Sequence, residues 1–562
     1  MNSTNKLSCQ TIINLLSQYG VEDVVLSPGS RNTPLIIAAN RSLSLKTRVV
    51  IDERSAGFIA LGIAIETRRP VAMICTSGSA ALNYGPALAE AFYRRIPLIA
   101  VTADRPAEWI DQDDSQTIRQ PELFANIVKG SYNLTAERGG AVEAWYFNRI
   151  VNDALTTALR GPAGPVHINV QLDDPLSGCT DVCMPQRKIE CDEPVSLLSD
   201  ETVISLAREI AAKKTLIIIG FNCPDSQLAD SLASLSSRDN LVVLHEAQSN
   251  QRHVNGALGN IDATLSVSAN FDVKDYTPEL VITAGGALLS RHVKAFLRSI
   301  PGLQHWHIGR YDRAVDCFMK LSRRVECRPA TFFAQIAPAL SGQPVVAPPS
   351  FNSVWRAMHD KAMSRVDAFA ADSPWCDFTA MAALVKALPT DWNIHVSNGT
   401  AIRYIQLFDY SQLGRVECNR GVSGIDGSTS TAIGASLCFD GTTLLITGDM
   451  SAQYDMGALA FNEIPPRFKM VVLNNSGGGI FRFIGTTAAL EERERCFAAD
   501  VRLPLRQLAD GFGFAYYRAE NAGDFRRVFA SFRDDNFRPA ILELVTPAEI
   551  SADVLKKFFS NK

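Results

Sequence analysis

Short runs of β-branched and other apolar residues recur along this chain, separated by longer stretches with amphipathic patterning. Runs that are apolar on both faces are typical of parallel strands covered by helices on both sides of a sheet. They form three sets: 24–27, 71–76, 97–103 and 166–170; 216–220, 241–245, 280–284 and 305–308; and 394–397, 444–447, 470–474 and 541–545. The pattern therefore predicts an α/β protein with three domains, each built on a central, mainly parallel sheet flanked by helices.

Chain length agrees with this division, because 562 residues are too many for one hydrophobic core. Two segments read as linkers. Segment 185–200 is polar and charged without a clear period, and segment 341–350 contains three prolines, which cannot continue a helix. We therefore predict domain boundaries near residues 190 and 350.

The charge and the hydrophobicity of the sequence limit the kinds of molecule that this protein is expected to bind. The net charge is −4 and the sequence has no long basic tract, so we expect neither nucleic acid nor an anionic membrane as partner. No apolar stretch approaches the 18 or more residues that a membrane span requires. The first ten residues are polar and lack an apolar signal core. We expect a soluble cytoplasmic protein.

Polar residues follow two of the predicted strands in the last set. Asp449 comes after run 444–447, and Asn475 follows run 470–474 and precedes three glycines at 477–479. A carboxylate, a carboxamide and the free carbonyl of a glycine-rich turn are hard oxygen donors, which Mg²⁺ prefers in combination with phosphate oxygens. Either segment alone is better explained by ordinary turn chemistry. Together, they predict a site for a metal ion and a diphosphate.

The pairing of Gly-Asp at 448–449 with Asn-Asn at 474–475 resembles the signature of thiamin diphosphate enzymes. This resemblance implies that Asp449, Asn475 and the Gly477 carbonyl bind Mg²⁺ or Mn²⁺, which in turn holds thiamin diphosphate. It also implies further cofactor contacts from the last domain, at Asn398, Gly399, Ile425, Met450 and Ser451. Ile425 would hold the cofactor in its bent shape, although a core isoleucine is the simpler explanation of that residue alone.

A thiamin enzyme also needs an acid that protonates N1′ of the cofactor's aminopyrimidine, usually a glutamate in an apolar setting. Segment 49–57 has a strand-like start, then Asp52 and Glu53, then small residues that begin a helix. Acids at a helix N-terminus have an ordinary explanation in the helix dipole. Beside the metal motif, however, Glu53 becomes the candidate catalytic and cofactor-binding glutamate. The turn 76–80 resembles the Thr-Ser-Gly turn of the pyrimidine domain, which implies cofactor contacts at Thr76 and Gly78.

Four segments are more specific: SPGSRNTPL at 27–35, TADRP at 102–106, IRQP at 118–121 and NRGVSGIDG at 419–427. They are similar to the 2-succinyl-5-enolpyruvyl-6-hydroxy-3-cyclohexene-1-carboxylate synthases of menaquinone biosynthesis. The resemblance implies a transferase that decarboxylates 2-oxoglutarate and adds the resulting succinyl-semialdehyde carbanion to isochorismate in a 1,4-fashion. It also implies a pyrimidine-binding domain (1–190), a middle domain (191–350) and a diphosphate- and metal-binding domain (351–562).

Both substrates of that reaction are dicarboxylates, so the pocket has to bind several anions. Arginine suits this task, because its planar fork binds carboxylates in a bidentate manner and stays charged when partly buried. Four arginines at strand ends are available: Arg31, Arg105, Arg403 and Arg420. Each alone would be explained as a surface or ion-pair residue. The resemblance adds further substrate-binding positions, at Ser30, Gln116, Arg291, Ile480 and Phe481.

Two other functions stay open at this point. Another thiamin diphosphate 2-oxoacid decarboxylase, or an acetohydroxyacid synthase-type carboligase, would share Asp449 and Glu53 but use pyruvate. The first histidine of the chain is His167, which disfavours enzymes that use histidines in the pyrimidine domain. A non-catalytic protein that keeps the fold is the second alternative. In the family, the glutamate and the metal site belong to different subunits, so the resemblance implies a homodimer or a dimer of dimers.

Overall fold

The computed structural model describes residues 3–310, 314–346 and 350–560 of the chain. Its strands form one two-stranded sheet and three larger sheets, with six strands in the first domain, five in the middle domain and six in the last domain. The strands are β1 (Ser3–Thr4), β2 (Asp23–Leu26), β3 (Lys46–Val49), β4 (Val71–Cys75), β5 (Leu98–Asp104), β6 (Ser131–Leu134), β7 (Val166–Gln171), β8 (Cys179–Thr180), β9 (Thr215–Ile219), β10 (Leu241–His245), β11 (Leu280–Ala284), β12 (Gln304–Ile308), β13 (Leu321–Val325), β14 (Asn393–Val396), β15 (Val416–Glu417), β16 (Thr443–Gly448), β17 (Phe468–Asn474), β18 (Ala515–Ala519) and β19 (Ala540–Val545).

Helices cover both faces of each large sheet, as expected for buried parallel strands. The α-helices are α1 (Leu7–Gln18), α2 (Thr33–Asn40), α3 (Glu53–Thr67), α4 (Ser79–Leu82), α5 (Gly85–Arg94), α6 (Ala141–Leu159), α7 (Asp200–Ala211), α8 (Ser226–Ser236), α9 (Ile261–Ser266), α10 (Val273–Tyr276), α11 (Arg291–Ser299), α12 (Pro329–Ser341), α13 (Phe351–Asp372), α14 (Asp377–Ala387), α15 (Thr400–Ile405), α16 (Ser428–Ser436), α17 (Asp449–Tyr454), α18 (Leu505–Phe512), α19 (Ala522–Asp534) and α20 (Ala548–Ser560). No helix in these described ranges is long and apolar enough to cross a bilayer.

The first and last sheets have the same topology. Their strand orders are β3-β2-β4-β5-β7-β6 and β15-β14-β16-β17-β19-β18, and all neighbours are parallel. In both sheets the strand order reverses next to the central strand that comes first in the sequence. The reversal lies between β2 and β4 in the first sheet and between β14 and β16 in the last sheet. Ligands of open parallel sheets bind outside the carboxyl ends of strands at such switch points. The topology therefore predicts two ligand-binding edges, one on the sheet of the first domain and one on the sheet of the last domain.

The predicted fold class is confirmed, and every strand of the three predicted sets is present with bounds that differ by at most two residues. The strand predicted before Glu53 is displaced, because β3 ends at Val49. The edge strands β6, β13, β15 and β18 were not predicted.

The predicted domain boundaries near 190 and 350 stay predictions. Residues 181–199 carry no helix or strand. Of the proline-containing segment, residues 347–349 lie outside the described residues. Helix α13, which starts at Phe351, packs through Phe351 and Trp355 into a core that also contains Val242 and Leu244 of β10. The first helix after the predicted boundary therefore packs against the middle sheet.

The first and last domains are joined by a close helix crossing. Helices α3 and α16 meet at two glycines: a Cβ at Gly62 would overlap the Thr431 carbonyl, and a Cβ at Gly434 would overlap the Ile59 carbonyl. Glycine lets two helix backbones approach more closely than any other residue allows. The two switch-point edges are thus held in a fixed relation within one chain.

Candidate active site

The proposed metal ligands lie at the carboxyl ends of adjacent strands. Asp449 follows β16 directly, Asn475 follows β17, and these strands pair in parallel. The backbone N–H of Gly477 donates to Oδ2 of Asp449 at 2.8 Å, and the N–H of Met450 donates to Oδ1 at 2.7 Å. Residues that are separate in the sequence therefore form one turn-and-carboxylate unit.

Gly477 is required by the backbone of this turn. Its φ is +138°, a conformation that residues with a side chain rarely adopt, and a Cβ there would overlap the carbonyl oxygen of Ala498. The N–H of Gly478 donates to the same Ala498 oxygen at 2.8 Å. The glycine run thus holds the turn against the segment that follows it.

Asn475 is oriented for a ligand that the chain itself does not supply. Its Nδ2 donates to Oδ2 of Asp377 at 2.7 Å, which fixes the amide, while its Oδ1 is buried and has no hydrogen-bond partner. A buried carbonyl oxygen without a donor costs free energy, and a cation removes that cost. The donor set of Asp449, Asn475 and a backbone carbonyl therefore fits Mg²⁺ or Mn²⁺.

Asp449 is the only carboxylate of this set. Burial raises its pKa to about 7, and the two backbone N–H donors lower it again in part. In the described ranges, no three His, Cys, Asp or Glu residues form a group that could hold a metal ion. A cation bound here would rely on one carboxylate, neutral oxygens and the oxygens of its own phosphate ligand.

The neighbouring strand end brings Asn398 and Gly399 to the same edge. Asn398 follows β14, and its Oδ1 accepts a hydrogen bond from Nη1 of Arg420 at 2.9 Å. Gly399 has φ +104° and open space around its Cα. Ser451 donates to the carbonyl of Ile425 at 2.7 Å, so α17 and the loop with the half-buried Ile425 are also connected.

Glu53 lies at the other edge, as the first residue of α3. The side chain of Asp52 accepts from the N–H groups of Arg54 and Ser55 and thereby caps this helix, which leaves Glu53 free of that role. In the described ranges, Glu53 makes no hydrogen bond or ion pair. Burial raises the pKa of the Cys75 thiol, and the charge of Glu53 raises it further. The half-buried Glu53 therefore lies close to the buried Cys75.

The predicted Thr-Ser-Gly turn follows β4 at the same edge. Thr76 is buried, and Gly78 has φ +82° with its N–H donating to Oε1 of Gln120 at 2.8 Å. Gln116 packs over this turn, because its Nε2 donates to the Ser77 carbonyl at 2.6 Å and a Cβ at Gly78 would meet its side chain. The structure thus brings Thr76, Gly78 and Gln116 together.

Arg31 and Arg105 flank a buried carboxylate of the first domain. Burial raises the pKa of Asp104 to about 6, and the charge of Arg31 opposes that rise. Arg105 pairs with Asp114, and Nη1 of Arg31 donates to the Leu172 carbonyl at 2.9 Å. Ser30 is exposed beside Arg31.

Two other arginines, Arg291 and Arg403, line a cavity of about 560 Å³ between the middle and last domains. Burial lowers the pKa of Arg403, and the charges of Arg291 and Arg420 lower it further, whereas the charges of Asp262 and Glu246 raise it. Arg420 itself lines a second cavity, of about 410 Å³. Like charges repel one another, and a bound anion reduces that repulsion. The arginines therefore favour a ligand with one or more carboxylates.

Ile480 and Phe481 are half-buried in the turn Gly479–Arg482, directly after the glycine run. Phe481 packs against Phe497 with ring centroids 5.7 Å apart. Phe483, two residues further on, lines the arginine cavity. This segment connects the metal turn to the cavity.

Within one chain, the candidate residues form two separate groups. The first domain contributes Glu53, Thr76, Gly78 and their neighbours, and the last domain contributes the metal turn and Asn398. No hydrogen bond joins the two groups among the residues that the structure describes. Arg54, the neighbour of Glu53, donates to the carbonyl of Tyr454 at the far end of α17, at 3.0 Å.

Comparisons with known proteins agree with the site. Residues 9–123 match a family model described as thiamine pyrophosphate enzyme, N-terminal TPP binding domain. The chain is 39% identical to the 2-succinyl-5-enolpyruvyl-6-hydroxy-3-cyclohexene-1-carboxylate synthase of Porphyromonas gingivalis, over 99% of this chain and 97% of that protein. It belongs to this synthase family. Proteins of the same name from Flavobacterium psychrophilum and Bacteroides thetaiotaomicron are 38% and 33% identical, over 98% and 99% of this chain and 98% and 99% of their own lengths.

As a member of the synthase family, the protein is a thiamin diphosphate-dependent enzyme of the transferase class. The matched range 9–123 contains Glu53, Thr76 and Gly78. One residue of the metal unit was not predicted from the sequence, namely Asp377. It begins α14, far from Asn475 in the chain, and only the folded structure shows that the two side chains meet. No local motif marks such a residue.

Proposed function

We propose that this protein decarboxylates 2-oxoglutarate and joins the product to isochorismate, as the synthase family does in menaquinone biosynthesis. The full-length similarity to proteins of that name is the main support. The cavity with Arg291 and Arg403, beside Arg420, is the structural observation that carries the choice of substrates. Three arginines suit a reaction in which both partners are dicarboxylates, whereas pyruvate would need fewer. The cytoplasmic location expected from the sequence stays a prediction.

In this proposal Asp449, Asn475 and the Gly477 carbonyl hold Mg²⁺ or Mn²⁺, and Asn398, Gly399, Met450 and Ser451 surround the diphosphate. Bound thiamin diphosphate supplies the carbanion that attacks a keto carbon and accepts the electrons left when CO₂ departs. Glu53 holds the proton at N1′ of the aminopyrimidine. Because the Glu53 side chain makes no hydrogen bond or ion pair with the described residues, its carboxylate is available for that proton.

On the substrate side, the arginines bind carboxylates and orient the reacting carbons. Arg403 is half-buried, and its buried Nε has no hydrogen-bond partner among the described residues, so a carboxylate oxygen would satisfy this donor. Ile480 and Phe481 would close the apolar side of the same pocket and exclude water. Ser30, Arg31, Arg105 and Gln116 would complete it from the first domain.

We further propose that a dimer is the minimal active unit, because no hydrogen bond joins the two groups of site residues within the described part of one chain. Apolar side chains next to both groups are exposed: Ile51 by 80%, Leu82 by 52%, Tyr454 by 51% and Met456 by 41%. Exposed apolar side chains clustered around polar functional groups indicate a surface that a partner covers. A second copy of the chain would cover them and bring its Glu53 to the metal turn.

The reaction is tested with purified protein, Mg²⁺ and thiamin diphosphate. We expect isochorismate to be consumed when 2-oxoglutarate is present and not when pyruvate replaces it. Consumption with pyruvate, at a comparable rate, would support an acetohydroxyacid synthase-type carboligase instead. Binding of thiamin diphosphate without turnover of either 2-oxoacid would indicate a non-catalytic protein.

The dimer is tested by complementation between two inactive variants. Glu53→Gln and Asp449→Asn are each expected to lose activity. When the two chains are co-expressed, half of the dimers are mixed, and each mixed dimer has one intact site if the site is shared. Activity should then return to about a quarter of the wild-type value. Activity no higher than that of either variant alone would show that each chain builds its own site.

A further inference from the structure

One buried carboxylate of the first domain holds the loop that carries a substrate arginine. Glu90 lies on α5 and is fully buried. Its two oxygens accept the backbone N–H groups of Gly421 and Val422, both at 2.8 Å. These residues immediately follow Arg420. The contact therefore crosses between domains to a loop at the candidate active site.

The fit between Glu90 and this loop is close. A Cβ at Gly421 would meet the Glu90 carbonyl oxygen at 2.6 Å and the Glu90 carboxylate at 3.0 Å, so only glycine fits there. Beyond the contact, Val422 is 44% exposed, and Ser423 has φ +65°. The Glu90 carboxylate thus anchors the backbone of the loop at Gly421 and Val422.

The opposite side of the same loop is held by Asn398. Its Nδ2 donates to the carbonyls of Asn419 and Gly424 at 2.5 and 2.6 Å, and its Oδ1 accepts from Arg420. Arg420 is thus fixed between two anchors. Asn398 fixes the side chain, and Glu90 fixes the backbone that follows it.

The charge of Glu90 suits this position. Two backbone N–H groups are donors only, so both of its oxygens have to accept. Arg94, one turn later on α5, lies 4.0 Å from Glu90 and donates to Glu417 at 2.7 Å. Helix α5 therefore brings two buried charged residues to the loop, Glu90 and Arg94, and Arg94 is paired with Glu417. A glutamine at position 90 would instead turn its NH₂ group toward one of the two backbone N–H donors.

We infer that Glu90 is a positioning residue for the carboligation: it fixes loop 419–424 so that Arg420 faces the substrate carboxylate. The inference rests on the proposed function. Glu90 belongs to the first domain and is not proposed to touch the substrate. It would nevertheless affect substrate binding in the last domain of the same chain, through Arg420.

The test is a double-mutant cycle with Glu90→Gln and Arg420→Ala, using Glu66→Gln as a matched control. Glu66 is another interdomain carboxylate, bound to Asn393 and Arg415, and it makes no hydrogen bond to loop 419–424. Losing one charged hydrogen bond predicts about a tenfold fall in kcat/KM for Glu90→Gln, mainly through KM for the substrate that Arg420 binds. Glu66→Gln should change kcat/KM less than twofold.

If Glu90 acts through Arg420, the double variant loses no more than Arg420→Ala alone. Losses that multiply, a silent Glu90→Gln, or an equal loss in Glu66→Gln would each overturn the inference. Should Glu90→Gln not be recovered folded, Glu90→Asp enters the same cycle, since its shorter acid keeps the charge but withdraws the oxygens. Wild-type turnover is measured first. Its absence refutes the proposed function, whereas its presence with a silent Glu90 variant refutes only this inference.

Discussion

The glycine of the metal turn offers the sharpest test of the site. In Gly477→Ala, the new methyl group would overlap the Ala498 carbonyl oxygen, and alanine would have to adopt φ +138°. Neither neighbour is the flexible end of a side chain, so the turn itself has to move. Movement would lengthen the 2.8 Å hydrogen bond from the Gly477 N–H to Asp449 and displace the carbonyl proposed to bind the metal.

The size of the effect follows from these contacts. Overpacking and the unfavourable φ together cost about 2–5 kcal/mol if the turn stays in place. If the turn relaxes instead, the lost hydrogen bond to a charged acceptor costs about 1.5–3 kcal/mol. A turn that stays in place would keep its strain with or without the cofactor, so that cost would appear in the free energy of unfolding. Because relaxation costs no more, we expect the turn to move. The relaxed turn predicts that thiamin diphosphate binds at least about tenfold more weakly in the presence of Mg²⁺, since 1.4 kcal/mol corresponds to a factor of ten.

The assay is a titration of thiamin diphosphate at fixed Mg²⁺, followed by the heat of binding. Gly485→Ala is the matched control, because Gly485 lies in the same segment and a Cβ there would meet nothing within 4 Å. It should bind the cofactor within twofold of the wild type. Equal affinity of Gly477→Ala and wild type would refute the argument that this turn holds the metal and the diphosphate.

Three further predictions concern the cation, the cavity and the stability of the fold. Chelation with EDTA should abolish activity, and Mg²⁺ or Mn²⁺ should each restore it when activity is measured again; restoration by dialysis alone would contradict a metal role. Arg403→Lys keeps the charge but loses the planar fork, so KM for one dicarboxylate should rise about tenfold while kcat changes less. Burial lowers the pKa of His167 to about 4, below the unfolded value of 6.5, so the unfolded state binds more protons between these values. His167 alone should therefore lower the free energy of unfolding by about 1.4 kcal/mol per pH unit as pH falls from 6.5 to 4, in addition to the other buried histidines with lowered pKa. Urea unfolding of His167→Asn should show a pH slope that is smaller by that amount.

The central strands could be predicted from the sequence because burial on both faces leaves a nearly continuous apolar run, as in Val71–Cys75. Most edge strands could not; the exception is β10, an edge strand of the middle sheet that is buried along its whole length. Strand β13 has the sequence LSRRV and its residues 322–324 are exposed, while β3, with the sequence KTRV, exposes Lys46 and Val49. At an edge, one side of the strand faces solvent and polar residues are tolerated, so the apolar signal disappears.

The candidate site divides in a similar way. Residues in local turns at strand ends, such as Asp449 and Gly477, could be predicted, because turn chemistry and the parallel sheet place them together. Residues that act through long-range pairing could not. Asp377 meets Asn475, and Glu90 meets Gly421, but nothing in the sequence around either acid indicates its partner. Only the tertiary fold brings these groups into contact.

The shared strand order of the first and last sheets explains how one chain can serve a cofactor with two unlike ends. Each sheet offers a switch-point edge, one with Glu53 and Gly78 and the other with Asp449 and Asn398. The first suits a base that exchanges a proton, and the second suits a diphosphate held by a cation. Because Gly62 and Gly434 fix α3 against α16, the two edges of one chain cannot close freely onto a shared ligand. A second copy could present its first-domain edge to the metal turn without disturbing that crossing, and two such pairings related by a twofold axis would give two equivalent sites.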